Sequence, residues 1–133
     1  MKEHYKKLER MFSKSTINKT LQAKIKINQG TSELNFSTNT SMHNESKNIH
    51  NAYLFMAVES AAFLAANSLV EDVLVLAKSF ETNYLKSTMN KKLNVNAKFI
   101  EKSMGNYVIL VELTENKNVI VRAKGCLLYT SPS

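Results

Sequence analysis

The chain has 133 residues, 44% of them hydrophobic and 22% charged, with 18 lysines and arginines against 11 acids for a formal net charge of +7. That length suits one domain around one core. The amino-terminal stretch MKEHYKKLERMF carries charges throughout and lacks an apolar run, which excludes a signal peptide and leads to the expectation of a cytoplasmic protein. The lysines are spread along the chain with no run of five or six and no interleaved aromatics, a pattern of a solvated surface or of attraction to phosphorylated small molecules rather than of a nucleic-acid binder.

Tyr5, Leu8, Met11 and Phe12 recur at helical spacing between Lys2 and Lys14, which predicts a short amphipathic helix packed on the domain. From Leu21 the period becomes two: Leu21, Ala23, Ile25 and Ile27 alternate with polar residues, Gln29 and Gly30 turn the chain, and Leu34, Phe36 and Thr38 alternate in return, predicting an antiparallel hairpin. A polar segment from Asn39 to Ile49 follows as a long loop, of the kind that tends to carry function.

The stretch His50 to Val70 is apolar on every side of a 3.6-residue wheel, so a central helix wrapped by the rest of the fold is expected. Its one charged side chain is Glu59, and a buried carboxylate costs several kcal/mol, on the order of magnitude, unless it is paired, hydrogen-bonded or lines a cavity. The stretch is long enough to suggest a membrane span, but Glu59, Ser60, Asn67 and Ser68 interrupt it, and no span is expected.

Glu71 and Asp72 turn into Val73 to Tyr84, a strand apolar on both faces at its start and therefore expected to meet the helix on one side and a second subunit on the other. Leu93 to Phe99, Tyr107 to Thr114 and Val119 to Lys124 complete four strands after the helix, with turns at Ser103 to Asn106 and Glu115 to Asn118. No Gly-rich phosphate loop, CxxC pair, metal-spaced His cluster or repeat is present, so no metal or redox cofactor is expected. The segment 126–133, CLLYTSPS, differs in style from what precedes it and holds the one Cys and the one Pro. It resembles the in-frame translation of a sequencing-library transposase adapter, so a single domain over residues 1–125 with a non-native tail is expected.

Two strands, one apolar helix and four strands in that order resemble an α+β architecture, the hotdog fold, in which a six-stranded antiparallel sheet wraps one central helix, here with a short N-terminal helix added. Within that fold the sequence resembles the acyl-CoA thioesterases of the phenylacetate-pathway and four-hydroxybenzoyl-CoA type. Asn44 stands six positions before His50, and Glu59 nine after it, at the spacings of that family's Asn, His and acid; the AAFLAANSLVEDV segment is also similar to bacterial members. The usual His-Gly-Gly is His50-Asn51-Ala52, and Lys47 replaces a glycine.

The resemblance implies hydrolysis of acyl-CoA thioesters with coenzyme A arriving as part of the substrate and no separate cofactor. It also implies a homodimer or tetramer in which the helix start of one subunit faces the acid of another. Chemistry supplies the roles: Glu59 as base or nucleophile, and the N–H groups of Asn51 and Ala52 at the positive helix end as oxyanion donors. Asn44 and His50 position substrate or water. Ser60 lies beside the acid, where helix packing is its ordinary role, and Lys47 and Lys86 are candidates for the coenzyme A phosphates. Other readings are an acyl-CoA-binding module without turnover and a dehydratase of the same fold, the latter lacking its extended Pro- and Gly-containing His motif here.

Overall fold

The computed structural model describes residues 2–72 and 74–129. Helices α1 (Lys2–Ser13) and α2 (Thr16–Leu21) precede a hairpin of β1 (Lys24–Asn28) and β2 (Thr31–Ser37). After the long helix α3 (Asn51–Asn67) come β3 (Val75–Tyr84), β4 (Lys92–Ser103), β5 (Asn106–Glu115) and β6 (Asn118–Tyr129). All six strands form one antiparallel sheet in the order β1-β2-β4-β5-β6-β3.

Alternation along each strand separates two faces. One inward row runs Ile25, Leu34, Val95, Leu113 and Val121; the next runs Ile27, Ser32, Ala97, Val111 and Ala123. The second row includes the small residues Ser32, Ala97 and Ala123, and α3 presents Ala57, Ala61, Ala62, Ala65 and Ala66, all fully buried. Small side chains on both surfaces let helix and sheet approach closely, and the Ser32 hydroxyl donates to the Ala61 carbonyl at 2.6 Å. The outer face carries rows such as Lys26, Glu33, Asn96, Glu112 and Arg122. There Asn94 Nδ2 donates to Glu33 at 3.2 Å and to Asn35 at 2.8 Å. Such a face stays stable in water.

The end of α3 is pinned by two polar side chains. Buried Asn67 donates to the Val75 carbonyl at 2.9 Å and accepts the Val75 N–H at 2.8 Å, acting as a short piece of strand backbone. The Ser68 hydroxyl donates to the Ala65 carbonyl and accepts the Gly30 N–H, tying the β1–β2 turn to the helix.

Several expectations are corrected. Leu21 belongs to α2 and not to a strand, because Ser15 caps that turn by accepting the Asn18 N–H and the strand pattern begins only at Lys24. The alternation of Leu21 and Ala23 was in phase with β1 by coincidence. Helix α3 is shorter than His50 to Val70, with His50 outside it as the cap. It is covered by the sheet on one side and only in part by α1 on the other, leaving Asn51, Ala52 and Glu59 exposed. The third strand was expected from Val73, which lies outside the described residues; β3 is one of the sheet's two edge strands, and after Val75 most of it is exposed on both faces. Strand β6 runs past Lys124, so Cys126 to Tyr129 pair with β3 and β5, and Leu127 is fully buried. Residues 130–133, the rest of the tail expected to be foreign, lie outside the described residues. Among the described residues, no helix is long and apolar enough to cross a membrane.

Candidate active site

Asn44, Lys47 and His50 lie on one loop that leads into the start of α3, and Glu59 lies further along that helix. Asn44 opens a tight loop in which its side-chain oxygen accepts the N–H groups of Ser46 at 2.9 Å and Asn48 at 3.2 Å. Lys47 in that loop has φ of 65°, a left-handed conformation that glycine adopts without steric cost. A glycine would hold this backbone without that cost, and the lysine holds it at a strain cost. Ile49 then donates its N–H to the Thr88 carbonyl at 2.8 Å, which joins this loop to the β3–β4 connection carrying Lys86. Both lysines are exposed.

His50 is the N-cap of α3. Its backbone is extended, at φ −64° and ψ 137°, and its Nδ1 accepts the Ala52 N–H at 2.9 Å. An accepting Nδ1 puts the neutral ring's proton on Nε2, which leaves an exposed N–H donor at the helix start. The cap decides which N–H groups at the helix start stay free. The Ala52 N–H is taken by the cap, whereas the Asn51 N–H has no acceptor among the described residues. The donors free for an incoming oxygen are therefore the Asn51 N–H and His50 Nε2–H. The imidazole's donor role could not be read from spacing, because it follows from which ring nitrogen the cap uses.

Glu59 is exposed rather than buried, so the anticipated desolvation cost does not arise within one chain. It lies on a groove of about 400 Å³ between α3 and the α1–α2 corner. Ala52, Phe55, Met56 and Phe63 form the α3 wall, and Met11 and Ile17 stand opposite. Glu59 is the one charged side chain among the lining residues. Ser60 also borders the groove, but its hydroxyl donates to the Met56 carbonyl at 2.7 Å, so it serves helix packing. Phe55 stacks edge-on against Phe80 of β3, with ring centroids 5.3 Å apart. Phe80 in turn covers Gly125 on β6, where a Cβ would lie 2.5 Å from the ring.

His50 and Glu59 do not come together in one chain. Nine residues at a rise of 1.5 Å separate them by roughly 13 Å along the axis of α3. A larger depression of about 640 Å³ lies on the outer sheet face, lined by Lys24, Asn35, Lys92 and Asn94 among others; it holds none of the motif residues. Among the described residues no cluster of three His, Cys, Asp or Glu side chains is arranged to hold a metal.

No protein-family model and no curated protein matches the chain. Solved structures do. A thioesterase family protein from Silicibacter pomeroyi superposes with a TM-score of 0.89 at 19% identity, covering 97% of this chain and 99% of the other. The PaaI protein of the E. coli phenylacetic acid degradation operon superposes at 0.88 with 16% identity, over 98% and 95% of the two chains. The chain has the hotdog fold. A third hotdog-like match, a hypothetical thioesterase protein with coenzyme A from Streptococcus pneumoniae, has a TM-score of 0.76 and 20% identity over 85% of this chain and 90% of that one.

Proposed function

We propose that this hotdog chain hydrolyses acyl-CoA thioesters to the free acid and coenzyme A, as a cytoplasmic homodimer or tetramer with sites shared between subunits. The observation that carries this reading is the single carboxylate, Glu59, set on an otherwise uncharged groove of α3. It is supported by thioesterases among the similar folds, one of them with coenzyme A.

Glu59 takes a proton from water as the oxygen attacks the thioester carbonyl carbon. The carbonyl oxygen gains the negative charge and accepts hydrogen bonds from the Asn51 N–H and His50 Nε2–H of a second subunit. The C–S bond then breaks, and the protonated acid returns its proton to the leaving thiolate. Sharing between subunits answers the separation of roughly 13 Å along one helix. It also answers the exposed edge strand β3, whose length of 10 residues suits pairing with a second copy. Asn44 shapes the loop that precedes the helix, and Lys47 and Lys86, on loops that meet at Ile49 and Thr88, attract the phosphates of coenzyme A.

One observation favours a second reading, acyl-CoA binding without turnover: the cap on Ala52 removes one of the two expected backbone donors. A thiol-release assay with wild-type protein and Glu59→Gln decides between them. Turnover that falls by about two orders of magnitude in the variant supports hydrolysis by this acid. Absence of turnover with retained binding supports the second reading, and near wild-type turnover in Glu59→Gln removes the acid from the mechanism.

A further inference from the structure

We propose that the amino-terminal corner, α1 with the start of α2, docks on the surface of an anionic lipid bilayer, with Lys6, Arg10 and Lys14 against the headgroups and Met11 and Ile17 in the acyl boundary.

The chain's positive charge is concentrated at this corner. Residues 1–26 hold eight of the 18 lysines and arginines but two of the 11 acids, Glu3 and Glu9, whereas residues 27–133 hold ten against nine. Lysines recur along the whole chain; the acids are what this corner lacks. Lys6 and Arg10 are exposed on one face of α1, opposite buried Leu8 and Phe12. Lys14 continues that face one residue past the helix, its N–H donated to the Arg10 carbonyl at 3.2 Å. Like charges four residues apart repel and weaken a helix, and among the described residues no acid pairs with any of the three. Glu3 stands in the first turn, and Glu9 is half-buried on the flank. Exposed Lys24 and Lys26 on the edge strand β1, against which α1 packs, extend the cations round the corner. This arrangement works against the helix's own stability and suits an external anion.

Two apolar side chains decide which anion. Met11 and Ile17 are 41% and 44% exposed at a lip shared by α1 and α2, beside Arg10 and Lys14. A bilayer surface supplies phosphates and, within about 5–10 Å, hydrocarbon; nucleic acid or free phosphate would leave the pair in water. The corner is also folded in advance, so docking costs no helix formation. Leu21 joins Leu8 and Phe12 in the core, the Ser15 hydroxyl donates to the Phe12 carbonyl at 2.6 Å, and buried Asn18 accepts the Ala23 N–H at 2.8 Å.

The test sediments the full chain with vesicles of phosphatidylcholine alone or with about 30% phosphatidylglycerol, at about 0.1 M and 0.5 M salt. Wild type is expected to bind the anionic vesicles about tenfold or more tightly than the neutral ones and to be released by the higher salt. Each cation held at such a surface raises the partition about fivefold, so Lys6→Gln with Arg10→Gln and Lys14→Gln loses about 100-fold. A control triple of equal charge change, Lys91→Gln with Lys98→Gln and Lys124→Gln, loses less than about fivefold. The chain has no tryptophan, so Ile17→Trp reports on the apolar pair, and its emission shifts to the blue on anionic vesicles. Melting temperatures verify that the variants fold, and lipid and salt dependence are read on wild type whether or not they do. Equal binding to both vesicle types, binding to neither, equal losses in the two triples, or an unshifted emission from bound protein overturns the proposal. Loss of polyglutamate binding in the first triple with vesicle binding kept overturns it in favour of an acidic partner protein.

Discussion

Replacing His50 with alanine removes two things at once, and a second substitution separates them. The cap on Ala52, at 2.9 Å from Nδ1, is one; losing a cap side chain costs about 1 kcal/mol. With about 2.1 cal/mol/K of unfolding entropy per residue over 133 residues, that cost lowers the melting temperature by about 3–4 °C. The other is the Nε2–H donor, whose loss from an oxyanion site lowers kcat by about 100-fold or more. His50→Ser restores an oxygen that caps the helix but places no donor at the Nε2 position. Thermal unfolding and thiol release on the same preparations give the answer. His50→Ala is expected to show both losses, and His50→Ser a near wild-type melting temperature with the full drop in kcat. If His50→Ser keeps wild-type kcat, the imidazole is a helix cap only and the donor argument fails.

Lys47→Gly relieves the left-handed backbone at φ 65° and is expected to stabilise the fold by about 0.5–1 kcal/mol while raising KM for acyl-CoA but not for a short thioester lacking the nucleotide; a stability loss in thermal unfolding would refute the strain argument. Gly125→Ala drives a Cβ to 2.5 Å from Phe80 and so disturbs its packing on Phe55, with an expected cost of about 1–3 kcal/mol that Phe80→Leu largely relieves; additivity of the two changes in a double-mutant cycle would show that the ring does not transmit the clash. Mixing inactive His50→Ala with inactive Glu59→Gln under conditions of subunit exchange is expected to restore part of the turnover, and no recovery despite demonstrated exchange would count against a shared site.

The sequence alone determined the order of the six strands and the long helix, because strand and helix periods are local and the apolar core repeats at 2 or 3.6 residues wherever a face is buried, whereas α2 was too short to show a period of its own. It also singled out Glu59 as the lone charge of α3, and the spacing of Asn44, His50 and Glu59 singled out the loop and helix start. Three matters were decided only by tertiary structure. A helix apolar all round has no polar stripe to say which side meets the sheet, so the groove beside Glu59 emerged only when the sheet took one flank and α1 part of the other. The two-faced apolar start of β3 suggested a covered strand, but strand order is set by long-range pairing, and pairing with β6 alone left it at the edge. Which N–H groups stay free at the start of α3 depends on an angle and a distance at the cap, and only the folded loop brings Nδ1 of His50 to the Ala52 N–H.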